Sequence, residues 1–260
     1  MLQGARNTVG GLAREAVSIG VTAALWPFGF ADGGPAEIRR MIAAGAPEVR
    51  TPVLLVHGFA ANKSNWLFLQ RDLRAAGFGH VHALNYNPFT ADVPAIAAAC
   101  VERAHHLMAA TGSRHVHLVG HSLGGIVARY AVLVGGLTEA ATCATVASPH
   151  QGVVGAHLLP GRTVRQLGAG STVLRRMVAA SRPVPTRFVA YWSNLDLLVP
   201  GRRARIIEPA LRAANVCIRD EGHLSILLSR RLVGSVLHEL GAAEGLPGYG
   251  TALAGLRPVA

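Results

Sequence analysis

The sequence predicts an α/β fold: a mainly parallel sheet of about six strands with helices on both faces. Three observations carry this. From Thr51 to Leu240, short apolar runs alternate with longer stretches of helical period. The runs are continuously apolar, as strands buried on both faces are, and lack the in-out alternation of a half-solvated sheet. The chain of 260 residues is 50% hydrophobic and only 15% charged, a globular profile that fits one large domain better than two small ones.

The elements follow in order. Thr51-Pro-Val-Leu-Leu-Val-His-Gly58 reads as a central strand. Ser64 to Ala76 places Trp66, Leu67, Leu69 and Leu73 at helical spacing, and Gly77 ends that helix. His80 to Tyr86 is the next strand. Asp92 is an N-cap for an alanine-rich helix running to about Ala110. His115 to Val119 is a strand and Leu123 to Val134 the helix behind it. Ala141 to Ala147, Thr186 to Trp192 and Ala214 to Ile218 are three more strands, and His223 to Leu240 closes the chain as a helix. Right-handed crossovers then line up the strands' C-terminal ends along one edge, where such sheets carry their sites. There is no internal repeat. The division expected is an N-terminal helical or interfacial segment over 1–50, a catalytic domain over 51–240 with a small lid or cap insertion at 151–185, and a loosely packed tail over 241–260.

The formal net charge is +11, and Lys63 is the only lysine. Such a balance suits an anionic surface. Yet the pairs Arg39-Arg40, Arg175-Arg176, Arg202-Arg203 and Arg230-Arg231 are scattered, with no aromatic interleaving and no recognition motif. Nucleic acid is therefore not expected as a partner, while a lipid surface stays open. Cys100, Cys143 and Cys217 are an odd, widely spaced set and read as buried free thiols. The apolar run Ala16–Ala31 is broken by Pro27 and is too short for a membrane span. With Glu15 before it and Trp26-Pro-Phe closing it, a helix docked on the domain or lying in a membrane interface is favoured. The alternative is a signal peptide cleaved after small residues such as Gly29 and Ala31. A cytoplasmic or membrane-associated protein is the corresponding expectation, with secretion following if residues 1–31 are such a leader.

The strongest chemical signal is Gly120-His121-Ser122-Leu123-Gly124, between a valine-rich strand and a helix. A tight turn at that place lifts a serine hydroxyl above the sheet edge. The glycines are required because a Cβ there meets neighbouring backbone. Ser122 as a nucleophile needs a base, and the base needs an orienting carboxylate. Of five aspartates, Asp32 precedes the sheet, Asp72 belongs to an early helix and Asp92 caps the next. Asp196 follows the strand ending at Trp192 and is the leading acid; Asp220 and Glu208 stay as rivals. Among twelve histidines, His223 lies in the loop after the last strand and is the expected base. His105, His106, His115, His117 and His238 read as packed or surface residues. The order Ser122, Asp196, His223 is that of a serine, acid and histidine triad on a doubly wound sheet. For the oxyanion, the amide of Leu123 is one donor and that of Phe59, after Gly58, the other. His57 is read as orienting that loop.

Taken together, His57-Gly58-Phe59, Gly120 to Gly125, Ser148-Pro-His-Gln-Gly152 and Asp196 before Leu-Val-Pro200 resemble the bacterial lipase and esterase family of the α/β-hydrolase superfamily, over roughly Pro52 to Leu240. The resemblance implies the α/β-hydrolase fold and hydrolysis of carboxylic esters, often acylglycerols, without a cofactor. Ser148 stands where relatives usually carry threonine. Some lipases hold calcium through paired aspartates near the histidine loop; this chain has no such pair, so no metal is expected. The expected partner is a small-molecule ester or lipid substrate. Acyl transfer or thioester cleavage by the same residues, and a non-catalytic binding protein on the same fold, are the alternatives. The insertion between Gln151 and Pro185, with His157-Leu158-Leu159, Val164-Arg-Gln-Leu167 and Val173 to Val178, suits an amphipathic helix over the cleft or an ordinary surface helix.

Overall fold

Six parallel strands form one sheet in the order β2-β1-β3-β4-β5-β6 in the computed structural model of the chain, which describes residues 2–30, 49–156 and 161–246. They are β1 (Val53–Val56), β2 (Val81–Leu84), β3 (Val116–His121), β4 (Ala140–Val146), β5 (Arg187–Trp192) and β6 (Ala214–Cys217). The sheet grows outward from β1 and β3, whose register pairs Val53 with His117 and Val56 with Gly120. The chain therefore reverses its direction of travel between β2 and β3, which places a crevice beyond the carboxyl ends of β1 and β3.

Period-two alternation along fully buried strands makes two apolar layers. Leu54 and Val56 point to one, with Ile96, Cys100, Leu107 and Ile126 from helices α3 (Val93–Thr111) and α4 (Leu123–Leu133). Val53 and Leu55 point to the other, with Trp66, Leu69 and Leu73 around helix α2 (Leu67–Ala75), and with Val236 and Leu240 on helix α8 (Arg230–Ala243). Each fully buried leucine contributes about 2 kcal/mol through surface removed from water. The remaining helices are the N-terminal α1 (Leu2–Leu25) and the short α5 (Arg162–Gln166), α6 (Thr172–Ala179) and α7 (Gly201–Ala204).

Local signals explain the helix ends. Asp92 accepts from the amide of Ala95 at 3.0 Å, the expected N-cap. The helix it starts runs to Thr111 and stops at Gly112, in the left-handed conformation at φ 68°. Elsewhere the boundaries differ from expectation. The helix expected from Ser64 is two pieces: a 3-10 turn, Lys63–Trp66, capped by the Asn62 side chain, then α2. The closing helix does not begin at His223. A 3-10 turn spans Ser225–Leu228, Ser229 is extended at ψ 122°, and α8 starts only at Arg230. It then continues to Ala243, so a boundary at 240 falls inside a helix. Glu244 follows, accepting from Thr51 and pairing with His117 at 3.0 Å, and Leu246 packs on the core. Cys100 and Cys143 are buried free thiols as expected, whereas Cys217 is half-buried.

The N-terminal helix lies against the domain. No helix among the described residues is long and apolar enough to cross a membrane. Ala31, Asp32, Arg39, Arg40, His157, Leu158, Leu159 and the tail beyond 246 lie outside the described residues.

Candidate active site

β3 ends at His121, and Ser122 turns the chain into α4 at φ 53°, ψ −119°. That pair of angles belongs to the first central position of a type II′ turn, where glycine is normal and a side chain is strained. The strain persists because the turn is packed from every side. A Cβ on Gly120 would lie 2.4 Å from the Gly124 carbonyl oxygen, and one on Gly124 would lie 2.0 Å from that of Val56. Both positions need glycine for close backbone approach.

Three side chains from three strand ends meet at this edge. His223 Nε2 lies 3.0 Å from Ser122 Oγ, and His223 Nδ1 lies 2.8 Å from Asp196 Oδ2. With Asp196 accepting from Nδ1–H, Nε2 is left to accept from the serine hydroxyl. The other oxygen of Asp196 accepts from the amides of Leu198 and Val199 at 2.9 and 2.8 Å, so the carboxylate is fully committed. The rival acids are engaged elsewhere. Asp220 pairs with the side chain of Asn194, and Glu208 pairs with the buried Arg129 at 2.7 Å.

Phe59 and Leu123 flank Ser122. Among the described residues neither backbone amide donates to another protein group. Gly58 packs on the nucleophile: a Cβ there would sit 3.1 Å from Ser122 Cβ. His57 builds this loop. Its ring stacks on Tyr86 at 4.1 Å, its Nδ1 donates to the Gly58 carbonyl at 2.9 Å, and the Tyr86 hydroxyl donates to the His57 carbonyl. Burial lowers the His57 pKa to about 4, so its ring is neutral.

Several neighbours were not singled out from sequence. His121 figured only as part of the turn, yet its Nε2–H donates to the His223 carbonyl at 2.9 Å. Burial depresses its pKa to about 3, which keeps a second positive charge away from the His223 ring 4.8 Å away. Ser193 ties the acid loop to the histidine loop by donating to the Glu221 carbonyl at 2.6 Å and accepting from the Glu221 amide. Glu15 and Arg14 of α1 reach the same loop. The signal for Glu15 is in the sequence: it is the one carboxylate of α1 and directly precedes an apolar run that holds no charge to pair with it.

A cleft of about 450 Å³ opens above Ser122 and His223. Its walls are mainly apolar, with Phe59, Val153, Val164, Leu167, Leu198 and Val199 around the polar pair. Val164 and Leu167 come from the region between Gln151 and Pro185, which forms α5 and α6, is pinned to itself by the bridge between Val153 and Gly168, and meets the body where the Val93 amide donates to Gln166 and the Thr163 hydroxyl to the Pro88 carbonyl. A second cavity of about 470 Å³, walled by Trp26, Phe30, Tyr86 and Phe89, shares Ala60 and Ala61 with the first.

A parallel sheet in this order, with a serine turn after the strand beside β1 and acid and histidine loops further along, defines an α/β-hydrolase. The chain belongs to the alpha/beta hydrolase family, whose model matches residues 53–234. It is similar to triacylglycerol lipases of Pseudarthrobacter phenanthrenivorans and Burkholderia plantarii, each 32% identical over 111 residues, or 40% of this chain. The match spans only 34% and 30% of those proteins' own lengths. Among solved structures, the mature Bacillus licheniformis lipase BlEst2 superposes with a TM-score of 0.64 at 18% identity, covering 76% of this chain and 94% of that one. The hydrolase MGS-MChE2, from a metagenome of lagoon sediments at Mar Chica, Morocco, gives 0.56 at 16% identity, covering 75% and 92%.

Proposed function

We propose that this protein is a carboxylic-ester hydrolase of lipase or esterase type, working through an acyl-enzyme on Ser122. The observation that carries the reading is the unbroken contact from Ser122 Oγ through the His223 ring to Asp196, 3.0 and 2.8 Å, at the floor of an apolar cleft. Ser122 Oγ attacks the ester carbonyl carbon while its proton passes to His223 Nε2. The carbonyl electron pair moves onto oxygen, which accepts from the Phe59 and Leu123 amides. Each such donor is worth about 3 kcal/mol of transition-state stabilisation. Collapse expels the alcohol oxygen, which takes the proton from Nε2. Water then attacks the acyl-enzyme, giving its proton to Nε2, and the carboxylic acid leaves as Ser122 regains a proton. Asp196 holds the imidazole in the required tautomer throughout.

The cleft's apolar walls and the triacylglycerol lipases similar to this chain support a lipid-like acyl ester as substrate. In this reading α5 and α6 act as a small lid, since Val164 of α5 and Leu167 just after it line the same cleft as the serine. The outward face of α1 supports a lipid surface as the place of encounter. Val9, Leu12, Val17 and Ile19 are exposed there, followed by Trp26, Phe28 and Phe30, and Phe28 is 74% exposed. The only charges between Thr8 and Phe30, Arg14 and Glu15, are used on the inward side. An outward apolar face with aromatic residues at one end matches an interfacial helix, and the +11 charge favours an anionic surface.

The test is hydrolysis of p-nitrophenyl esters of increasing chain length by the wild type and by Ser122→Ala. The variant is expected to lose about a thousandfold or more in kcat. Activity of Ser122→Ala within a few-fold of the wild type overturns the reading.

A further inference from the structure

We infer that Glu15, on the N-terminal helix, is a positioning residue for the His223 imidazole, an inference that rests on the proposed ester-hydrolase reading. The peptide unit joining His223 to Leu224 is held at both of its polar ends. Its carbonyl oxygen accepts from His121 Nε2 at 2.9 Å, and its N–H donates to both carboxylate oxygens of Glu15, at 2.9 and 3.1 Å. Holding both ends of one peptide plane fixes the rotation that aims the histidine side chain. The next amide, of Ser225, donates to Glu15 Oε2 at 2.8 Å. Leu224 and Ser225 begin a 3-10 turn, so these N–H groups have no carbonyl of their own helix to meet. Glu15 supplies from far along the sequence what an N-cap side chain supplies locally.

The grip extends to the near side of His223. A Cβ on Gly222 would lie 2.3 Å from Glu15 Oε2, so the carboxyl rests on backbone. One residue earlier on α1, Arg14 Nε lies 3.2 Å from Glu221 Oε2, and its Nη2 donates to the Asp220 carbonyl. Residues 220, 221, 222, 224 and 225 thus all touch one turn of α1. The histidine they bracket has to sit 3.0 Å from Ser122 Oγ, and small displacements at a reacting pair carry large rate penalties.

The test compares Glu15→Ala, Glu15→Gln and Glu15→Asp in the full chain on a soluble short-chain ester. Rates are normalised to the Ser122 titrated with a fluorophosphonate. Glu15→Ala is expected to lower kcat about 10- to 100-fold with KM little changed. It should also broaden the low-field resonance of the His223 Nδ1 proton. Glutamine keeps an oxygen in the Oε2 place that accepts from both amides but sets its NH2 against the Leu224 N–H in the Oε1 place, so it recovers part of the loss. Aspartate keeps the charge but is one methylene short, and stays near alanine. All three variants within twofold of the wild type, or a loss confined to the number of titratable sites, overturns the inference. If Glu15→Ala does not fold, the other two decide: glutamine above aspartate in kcat supports positioning, and equality or the reverse order refutes it. A wild-type-like Ser122→Ala in the same assay would instead defeat the ester-hydrolase reading.

Discussion

Replacing Ser122 by glycine separates the strain of the nucleophile's turn from its chemistry. The residue sits at φ 53°, ψ −119°, a conformation that costs a residue bearing a Cβ about 1–3 kcal/mol. Glycine adopts it freely, but a glycine also loosens the unfolded chain, which destabilises by about 0.4–1 kcal/mol. The net effect is a gain of about 0.5–2 kcal/mol. The proper reference is Ser122→Ala, since both variants lack the hydroxyl that meets His223. For a chain of this size 1 kcal/mol moves Tm by about 2–4 °C, so Ser122→Gly should melt about 1–8 °C above Ser122→Ala. Differential scanning calorimetry of the two inactive variants, in one buffer, measures this. A glycine variant melting at or below the alanine variant would refute the claim that the turn stores strain, because the unfolded-state term alone then remains.

Gly124→Ala drives a Cβ to 2.0 Å from the Val56 carbonyl oxygen, backbone that cannot yield; it should lower stability by more than about 3 kcal/mol, read by urea unfolding, and a mild effect would contradict the packing. Burial holds His57, His82 and His121 at pKa values of about 4, 4 and 3. They are neutral in the folded protein and protonate near 6.5 in the unfolded chain, so stability is complete above pH 6.5. It should fall by about 4 kcal/mol per pH unit between 6.5 and 4, and His121 continues the decline toward 3. Flat stability from pH 7 to 5 would show that these rings charge in place. Introducing Val9→Glu with Ile19→Glu should weaken binding to anionic vesicles about tenfold without altering turnover of a soluble ester. Unchanged flotation with the vesicles would refute the proposed encounter of α1 with a lipid surface.

Much of this was legible from residue pattern alone. Apolar runs such as Val53–Val56 can be satisfied only between two covered faces, and the structure covers them with α3 and α4 on one side and α2 and α8 on the other. The turn at Ser122 was legible because three glycines in close spacing have few other uses. The histidine loop was harder. Its helix starts at Arg230, seven residues after the His223 that periodicity points to, because Leu224 to Leu228 has helical spacing but Ser229 is extended. No local pattern reveals that break.

Composition and spacing determined the parallel sheet, the sharp serine turn and the order of the three polar residues along the chain, because burial, period and glycine sterics act within a few residues of each position. The folded structure alone decided that Asp196 and not Asp220 or Glu208 meets His223, since each rival is taken by a partner distant in sequence, Asn194 or Arg129. It alone decided that His121 and Glu15 close on one peptide bond from opposite sides. Glu15 and Leu224 are 209 positions apart, and a hydrogen bond responds to distance in space, which separation along the chain does not encode.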